Sequence, residues 1–144
     1  MDRQNQIAAI VNAQNGEIVA VQNYLKKNPV GYINIQHDMN SQKSNGVIFT
    51  VHGTTLFMEA CAFGRDTLVS LLYDDPNLNN SVRTSEGWSA LHAAAANGHD
   101  TICEILCQHG YDPKEPDNAG YTPIDAARNF KHNEALTVLQ KYVR

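Results

Sequence analysis

The chain has 144 residues, of which 42% are hydrophobic and 18% charged, and a formal net charge of -4 at pH 7. This length suits one domain, and the balance is that of a folded chain rather than a disordered one. A mildly acidic chain has no general attraction to a phosphate backbone, so we expect no nucleic acid partner. No apolar run approaches the roughly 18 to 20 residues that a membrane span needs, so no membrane partner is expected.

The cysteines indicate the compartment. The three residues, Cys61, Cys103 and Cys107, are odd in number and lack paired spacing, which favours a reducing compartment over a disulfide framework. The polar start of the chain lacks the charged region and long apolar core of a signal peptide. We therefore expect a cytoplasmic protein, with the nucleus, or a host cytosol reached by dedicated delivery machinery, as alternatives.

The first 30 residues predict two helices joined by a turn. Apolar residues recur within 7–11 and within 18–25, on either side of the turn-forming pair Asn15-Gly16.

An insert follows at about residues 31–52. Segments 32–37 and 47–51 alternate in the manner of strands, and the polar stretch between them, 40–46, ends in Asn-Gly. This pattern predicts an elongated β-hairpin, and the alternative is an irregular loop that tolerates insertion.

The rest of the chain repeats itself. Gly53, Gly87 and Gly120 lie 34 and 33 residues apart, and each precedes a hydroxyl residue and a run that includes small residues. Gly64 and Gly98 also lie 34 residues apart, and each precedes an apolar helix pattern. A period of this length predicts stacked helical units that bury their apolar faces against one another.

The repeat resembles the ankyrin repeat, a unit of roughly 33 residues with a turn, two helices and a Thr-Pro-Leu-His signature. Residues 89–92, Ser-Ala-Leu-His, and 122–125, Thr-Pro-Ile-Asp, match that signature with one or two changes each. The family's Gly-His pair between the helices stands here as Gly98-His99. Residues 1–30 are similar to a degenerate first repeat, as expected of a unit that caps a stack.

The resemblance implies an all-α ankyrin-repeat solenoid of helix-turn-helix units, with the β-hairpin finger inserted between repeats one and two. It implies a single domain over residues 1–144. The expected repeats are about 1–30, 53–80, 85–116 and 117–144.

One helix carries a possible metal site. His99, Cys103 and Cys107 recur every four residues, which places three possible ligands on one helix face. In the repeat frame, however, the cysteines occupy core positions, and His99 is the family's own turn histidine. We therefore predict no metal and no cofactor, with a metal-binding or catalytic protein that uses this face as the alternative.

His92 is the residue that most resembles a general base. The resemblance implies a structural histidine that bonds within its own signature and to the adjacent loop, and Asp125 takes its place in the last unit. No nucleophile with a paired acid and base, and no phosphate-binding loop, accompanies it. We assign no catalytic residue and predict that the chain is not an enzyme.

The resemblance places partner contacts on the loop tips and on the concave face formed by the first helices. Four such positions are aromatic, and aromatic residues dominate binding hot spots; the alternative is that they pack on the insert or on neighbouring loops. The predicted partner-binding residues are Thr54, Phe63, Ser85, Glu86, Trp88, Asn97, Asn118, Tyr121, Asn129 and Phe130.

These features predict a non-catalytic protein–protein interaction module that acts as a monomer on another protein. One alternative is a secreted effector or regulator that sequesters a host protein by the same surface. Another is a subunit that self-associates through the exposed aromatic residues.

Overall fold

A computed structural model describes residues 3–27, 36–42, 48–76 and 78–143. The described residues form four helix pairs and one two-stranded sheet, so the predicted all-α architecture with a hairpin insert is confirmed. In chain order the elements are α1 (Arg3–Gln14), α2 (Ile18–Lys27), β1 (His37–Gln42), β2 (Ile48–Thr54), α3 (Leu56–Ala62), α4 (Asp66–Tyr73), α5 (Ala90–Ala96), α6 (Asp100–Gln108), α7 (Pro123–Asn129) and α8 (Asn133–Lys141).

The helices stack in two rows. The first helices of the pairs, α1, α3, α5 and α7, pack side by side, and α4, α6 and α8 pack along the second row. Small residues such as Ala94, Ala95 and Ala127 are fully buried in the first row, where they let neighbouring helix backbones approach closely. Leu68, Leu106 and other aliphatic residues fill the space between the rows, which gives one continuous core.

Side-chain caps begin the first-row helices α3, α5 and α7. The Ser89 hydroxyl accepts a hydrogen bond from the His92 backbone N–H, while His92 Nδ1 accepts from the Ser89 N–H. Thr122 and Asp125 make the same reciprocal pair at the start of α7. Because a helix start leaves several backbone N–H groups without partners, each cap stabilises its helix by about 1 kcal/mol.

A side chain from each unit bonds the turn of the unit before it. His99 Nε2 donates to the Ala62 carbonyl at 2.9 Å, and His132 Nε2 donates to the Ala96 carbonyl at 3.0 Å. At the first junction Arg65 replaces the histidine, and its Nε donates to the Gln14 carbonyl at 2.7 Å. These contacts tie successive units together on the side of the helix–helix turns.

The turn within a helix pair needs a left-handed residue. Gly98 has φ +77°, and a Cβ added there would lie 2.5 Å from Nδ1 of His132. Glycine at this position therefore meets both a conformational and a steric requirement. Lys131 takes the same place between α7 and α8 with φ +62°, so the last turn keeps its conformation without glycine.

The insert is a hairpin between the first two helix pairs. Strands β1 and β2 are antiparallel, with Asn40 opposite Thr50 and an irregularity between His37 and Met39. The predicted turn, 40–46, was wrong at its start, because Asn40, Ser41 and Gln42 pair with β2, so β1 extends beyond the predicted first strand, 32–37. Residues 32–35 and 43–47 of that prediction lie outside the described residues.

No helix in the described part of the chain is both long and apolar enough to cross a bilayer.

Candidate functional site

Apart from Thr54, the predicted contact residues fall in two places along the first helix row. One group lies in the loops that precede α5 and α7, and the other lies where α3, α5 and α7 end. The first group is Ser85, Glu86, Trp88, Asn118 and Tyr121. The second group is Phe63, Asn97, Asn129 and Phe130.

The two loops form tight turns that are bonded to each other. The Thr84 N–H donates to the Trp88 carbonyl at 2.9 Å, and the Asp117 N–H donates to the Tyr121 carbonyl at 2.7 Å. Asn118 joins the turns, because its backbone N–H donates to the Glu86 carbonyl at 2.9 Å. Its side-chain Nδ2 also donates to the Ser85 carbonyl at 2.9 Å. Asn118 therefore holds the loops together as well as lying exposed at their tips.

Trp88 is half-buried and bonded within the structure. Its indole Nε1 donates to Oδ2 of Asp117 at 3.0 Å, and its ring stacks on His92 with centroids 6.0 Å apart. Much of the Trp88 side chain therefore packs against neighbouring loops, as the alternative interpretation expects. Asp117 was not among the predicted contact residues. Its position one repeat period after Thr84, with an acidic side chain, is the sequence signal that could have indicated it.

Among the residues whose burial the structure describes, three aromatic side chains are exposed. The exposed fractions are 41% for Phe63, 54% for Tyr121 and 56% for Phe130. Phe63 and Phe130 are the residues at which α3 and α7 end, and Asn97 has the same place in α5. Tyr121 immediately precedes the capping residue of α7, so this seven-residue helix has an exposed aromatic residue at each end.

The polar members of the predicted set differ in exposure. Ser85, Glu86, Asn97 and Asn129 are exposed, with Asn97 Nδ2 bonded to the Ala93 carbonyl at 2.8 Å. Thr54, in contrast, is 2% exposed at the end of β2. Thr54 therefore offers no area to a partner in this structure.

The cysteine and histidine face has little access to solvent. Cys61, Cys103 and Cys107 are free and buried. Burial raises the pKa of Cys103 to about 12 and that of Cys107 to about 11, and it raises the pKa of Cys61 well above its ordinary value. Residues of the described segments form no cluster of three potential metal ligands, and His99 Nε2 is bonded to a carbonyl.

His92 has a hydrogen-bond partner at each ring nitrogen. Nδ1 accepts from the Ser89 N–H at 3.1 Å, and Nε2 lies 3.0 Å from the Tyr121 carbonyl, to which it donates. The residue is 1% exposed, and burial lowers the pKa of its ring. An imidazole held in this way supports the two loops and has no free nitrogen with which to accept a substrate proton.

Comparison with known proteins identifies the repeat. A family model described as ankyrin repeats matches residues 57–143 with three copies. The chain therefore belongs to the ankyrin-repeat family, as its sequence predicts. Ankyrin repeats are a general protein–protein interaction module, and the family is generally non-catalytic.

The curated relatives are much longer proteins. Protein phosphatase 1 regulatory subunit 12A of Mus musculus is 42% identical over 53 residues, 37% of this chain and 5% of that protein. Ankyrin repeat and SAM domain-containing protein 6 of Danio rerio is 31% identical over 86 residues, 60% of this chain and 11% of that protein. ARF GTPase-activating protein GIT1 of Homo sapiens is 42% identical over 55 residues, 38% of this chain and 7% of that protein.

Proposed function

We propose that this chain is a non-catalytic module that binds another protein through its loop tips and the exposed side of its first helix row. The observation that carries the proposal is the pair of exposed aromatic residues, Tyr121 and Phe130, at the two ends of α7. Phe63 extends the same surface to the end of α3.

The exposed aromatic residues supply area that a partner can bury. Removing apolar surface from water contributes about 25 cal/mol per Å², from which the entropy costs of association are subtracted. Aromatic side chains bury the most area per residue. These three side chains are not part of the hydrophobic core or of the partly buried residues packed against it. Exposed amides at Asn97 and Asn129 lie beside them and suit the polar rim of an interface.

Two observations favour binding over catalysis or metal chemistry. His92, the best general-base candidate in the sequence, is 1% exposed, and each of its ring nitrogens has a hydrogen-bond partner. The thiols of Cys103 and Cys107 are buried in the core and have raised pKa values, which disfavours the thiolate that zinc binding requires.

The test is capture of partners from lysate with the paired variant Tyr121→Ala and Phe130→Ala. We expect it to lose proteins that the parent chain retains. The matched control is Val19→Ala, which removes an apolar side chain that is 70% exposed on α2, outside the proposed surface. Urea unfolding of all three chains checks that their stability is equal. If the paired variant retains the same proteins as the parent, the proposed binding surface is refuted.

We also propose that the protein acts as a cytoplasmic monomer. Three free, buried thiols suit a reducing compartment. A delivered regulator acting on a host protein would use the same surface. Light scattering over a concentration series tests the monomer, and a mass that rises with concentration would favour self-association through the aromatic residues.

A further inference from the structure

The turn that carries Tyr121 is attached to α5 through one imidazole. His92 Nε2 donates to the Tyr121 carbonyl at 3.0 Å, across 29 residues of sequence. On the other side of the ring, Nδ1 accepts from the Ser89 backbone N–H at 3.1 Å. Both bonds are made together only by the neutral imidazole with its proton on Nε2.

A second proton would disturb this arrangement. It would have to sit on Nδ1, where the Ser89 N–H already points, so two donors would face each other. The Ser89 hydroxyl, 2.9 Å from Nδ1, could accept the new proton, but the hydrogen bond from the Ser89 N–H to Nδ1 would be lost. The resulting cation would also be almost completely removed from water, because His92 is 1% exposed.

The same turn has a second attachment that involves the same ring. Trp88 stacks on His92 and donates from Nε1 to Oδ2 of Asp117, the first residue of the turn. His92 and Trp88 thus hold the two ends of the turn 117–121, and displacement of one ring disturbs the other.

The charges around His92 come from the loops. Asp117 and Glu115 favour the protonated ring and Arg83 opposes it, but burial is the larger effect and lowers the pKa of His92 below its ordinary value of about 6.5. The carboxyls of the flanking first-row helices, Glu59 and Asp125, are bonded to Gln14 and Thr122 instead. In α6, Glu104 is bonded to Tyr142, and Asp100 begins the helix next to the α5–α6 turn.

The equivalent positions in the neighbouring units lack a group that titrates in this range. Met58 stands at this place at the start of α3, and Asp125 stands there in α7. Hydrogen bonds from Thr122 lower the pKa of Asp125, so it stays ionised in mildly acidic solution. His92 is therefore the one proton-sensitive member of the three related positions.

We propose that His92 and Trp88 form a proton-sensitive clamp on the turn 117–121, and that protonation of His92 releases this turn and the exposed Tyr121. His92 and Trp88 act here as positioning residues. The consequence for partner binding rests on the proposed function, whereas release of the turn is measured without a partner.

The experiment uses the full chain and the emission of Trp88, the only tryptophan. Titration from about pH 7.5 to 5 brackets the ordinary pKa of histidine. We expect a one-proton change in emission with its midpoint below 6.5, with no loss of helical circular dichroism. His92→Gln should lack this change, and the matched control His109→Gln, at an exposed histidine, should keep it.

Nuclear magnetic resonance on the parent chain covers the case in which His92→Gln fails to fold. The ring resonances of His92 and the amides of residues 117–121 should titrate together, while the amides of α8 stay unchanged. Ring protonation without any change in these amides would overturn the proposal. An emission change that persists in His92→Gln, or global unfolding in the same step, would also overturn it.

Discussion

Replacement of Gly98 by alanine should destabilise the protein through two separable effects. A non-glycine residue at φ +77° costs about 1–2 kcal/mol. The new Cβ would lie 2.5 Å from the His132 ring, and displacement of that ring would weaken its hydrogen bond to the Ala96 carbonyl, worth about 0.5–1.5 kcal/mol. The sum is about 1.5–3.5 kcal/mol, before an offset of about 0.4–1 kcal/mol from the stiffer unfolded chain.

Gly16→Ala is the matched control. Gly16 has φ +72° in the equivalent turn of the first unit, but the nearest atom to its added Cβ is Cδ of Arg65 at 3.0 Å. Arg65 also bonds across a junction, but its flexible chain can shift Cδ and keep the Nε hydrogen bond to the Gln14 carbonyl, which a rigid imidazole cannot do. The conformational cost of about 1–2 kcal/mol should therefore account for most of the loss.

Urea unfolding followed by circular dichroism measures both variants. The midpoint should fall further for Gly98→Ala than for Gly16→Ala, with similar dependence on urea concentration. Equal losses of stability in the two variants would show that the His132 contact contributes nothing to the free energy of unfolding. That result would refute the predicted role of this hydrogen bond at the junction between units.

Three further predictions concern the cap, a buried acid and the thiols. Ser89→Ala should lower the free energy of unfolding by about 1–2 kcal/mol in urea melts, because it removes the α5 cap; an unchanged midpoint would contradict this. Burial raises the pKa of Glu59, so the parent should lose stability as pH rises above about 4.5, where the unfolded chain ionises first. Urea melts at two pH values should show that Glu59→Gln lacks this loss, and the same decline in both chains would refute it. The three buried thiols, Cys61, Cys103 and Cys107, should react slowly with a thiol reagent in the folded protein and at once in urea. Fast reaction in the folded protein would show instead that the core opens readily.

The sequence was sufficient to predict the helical units, because their signals are local and periodic. Glycines at fixed spacing and hydroxyl residues before apolar runs mark the turns and helix starts, and Ser89 and Gly98 lie where those signals place them. The position of the first hairpin strand was harder to predict. Asn40 and Ser41 favour turns by composition, yet they pair with β2 in the structure, since pairing depends on the partner strand as well as on local propensity.

The candidate site could be predicted only in part, because its polar contacts join residues far apart in sequence. The repeat frame placed Trp88 on the surface, but its indole bonds Asp117, which lies 29 residues away. The same frame included Thr54, which is the last residue of β2 and is 2% exposed. Tyr121 and Phe130 are as exposed as the frame implies, because they flank the two ends of α7 and their side chains do not enter the core.

The hydrogen bonds between the two loops reduce the entropy that the chain would lose on binding a partner. Asn118 spans from its own turn to the carbonyls of Ser85 and Glu86, so the loops are already fixed relative to each other in the free chain. Ordering a mobile side chain at an interface costs about 0.5–1.5 kcal/mol. A surface whose backbone is braced beforehand loses less entropy on association, so more of the contact energy of Tyr121 is available as affinity.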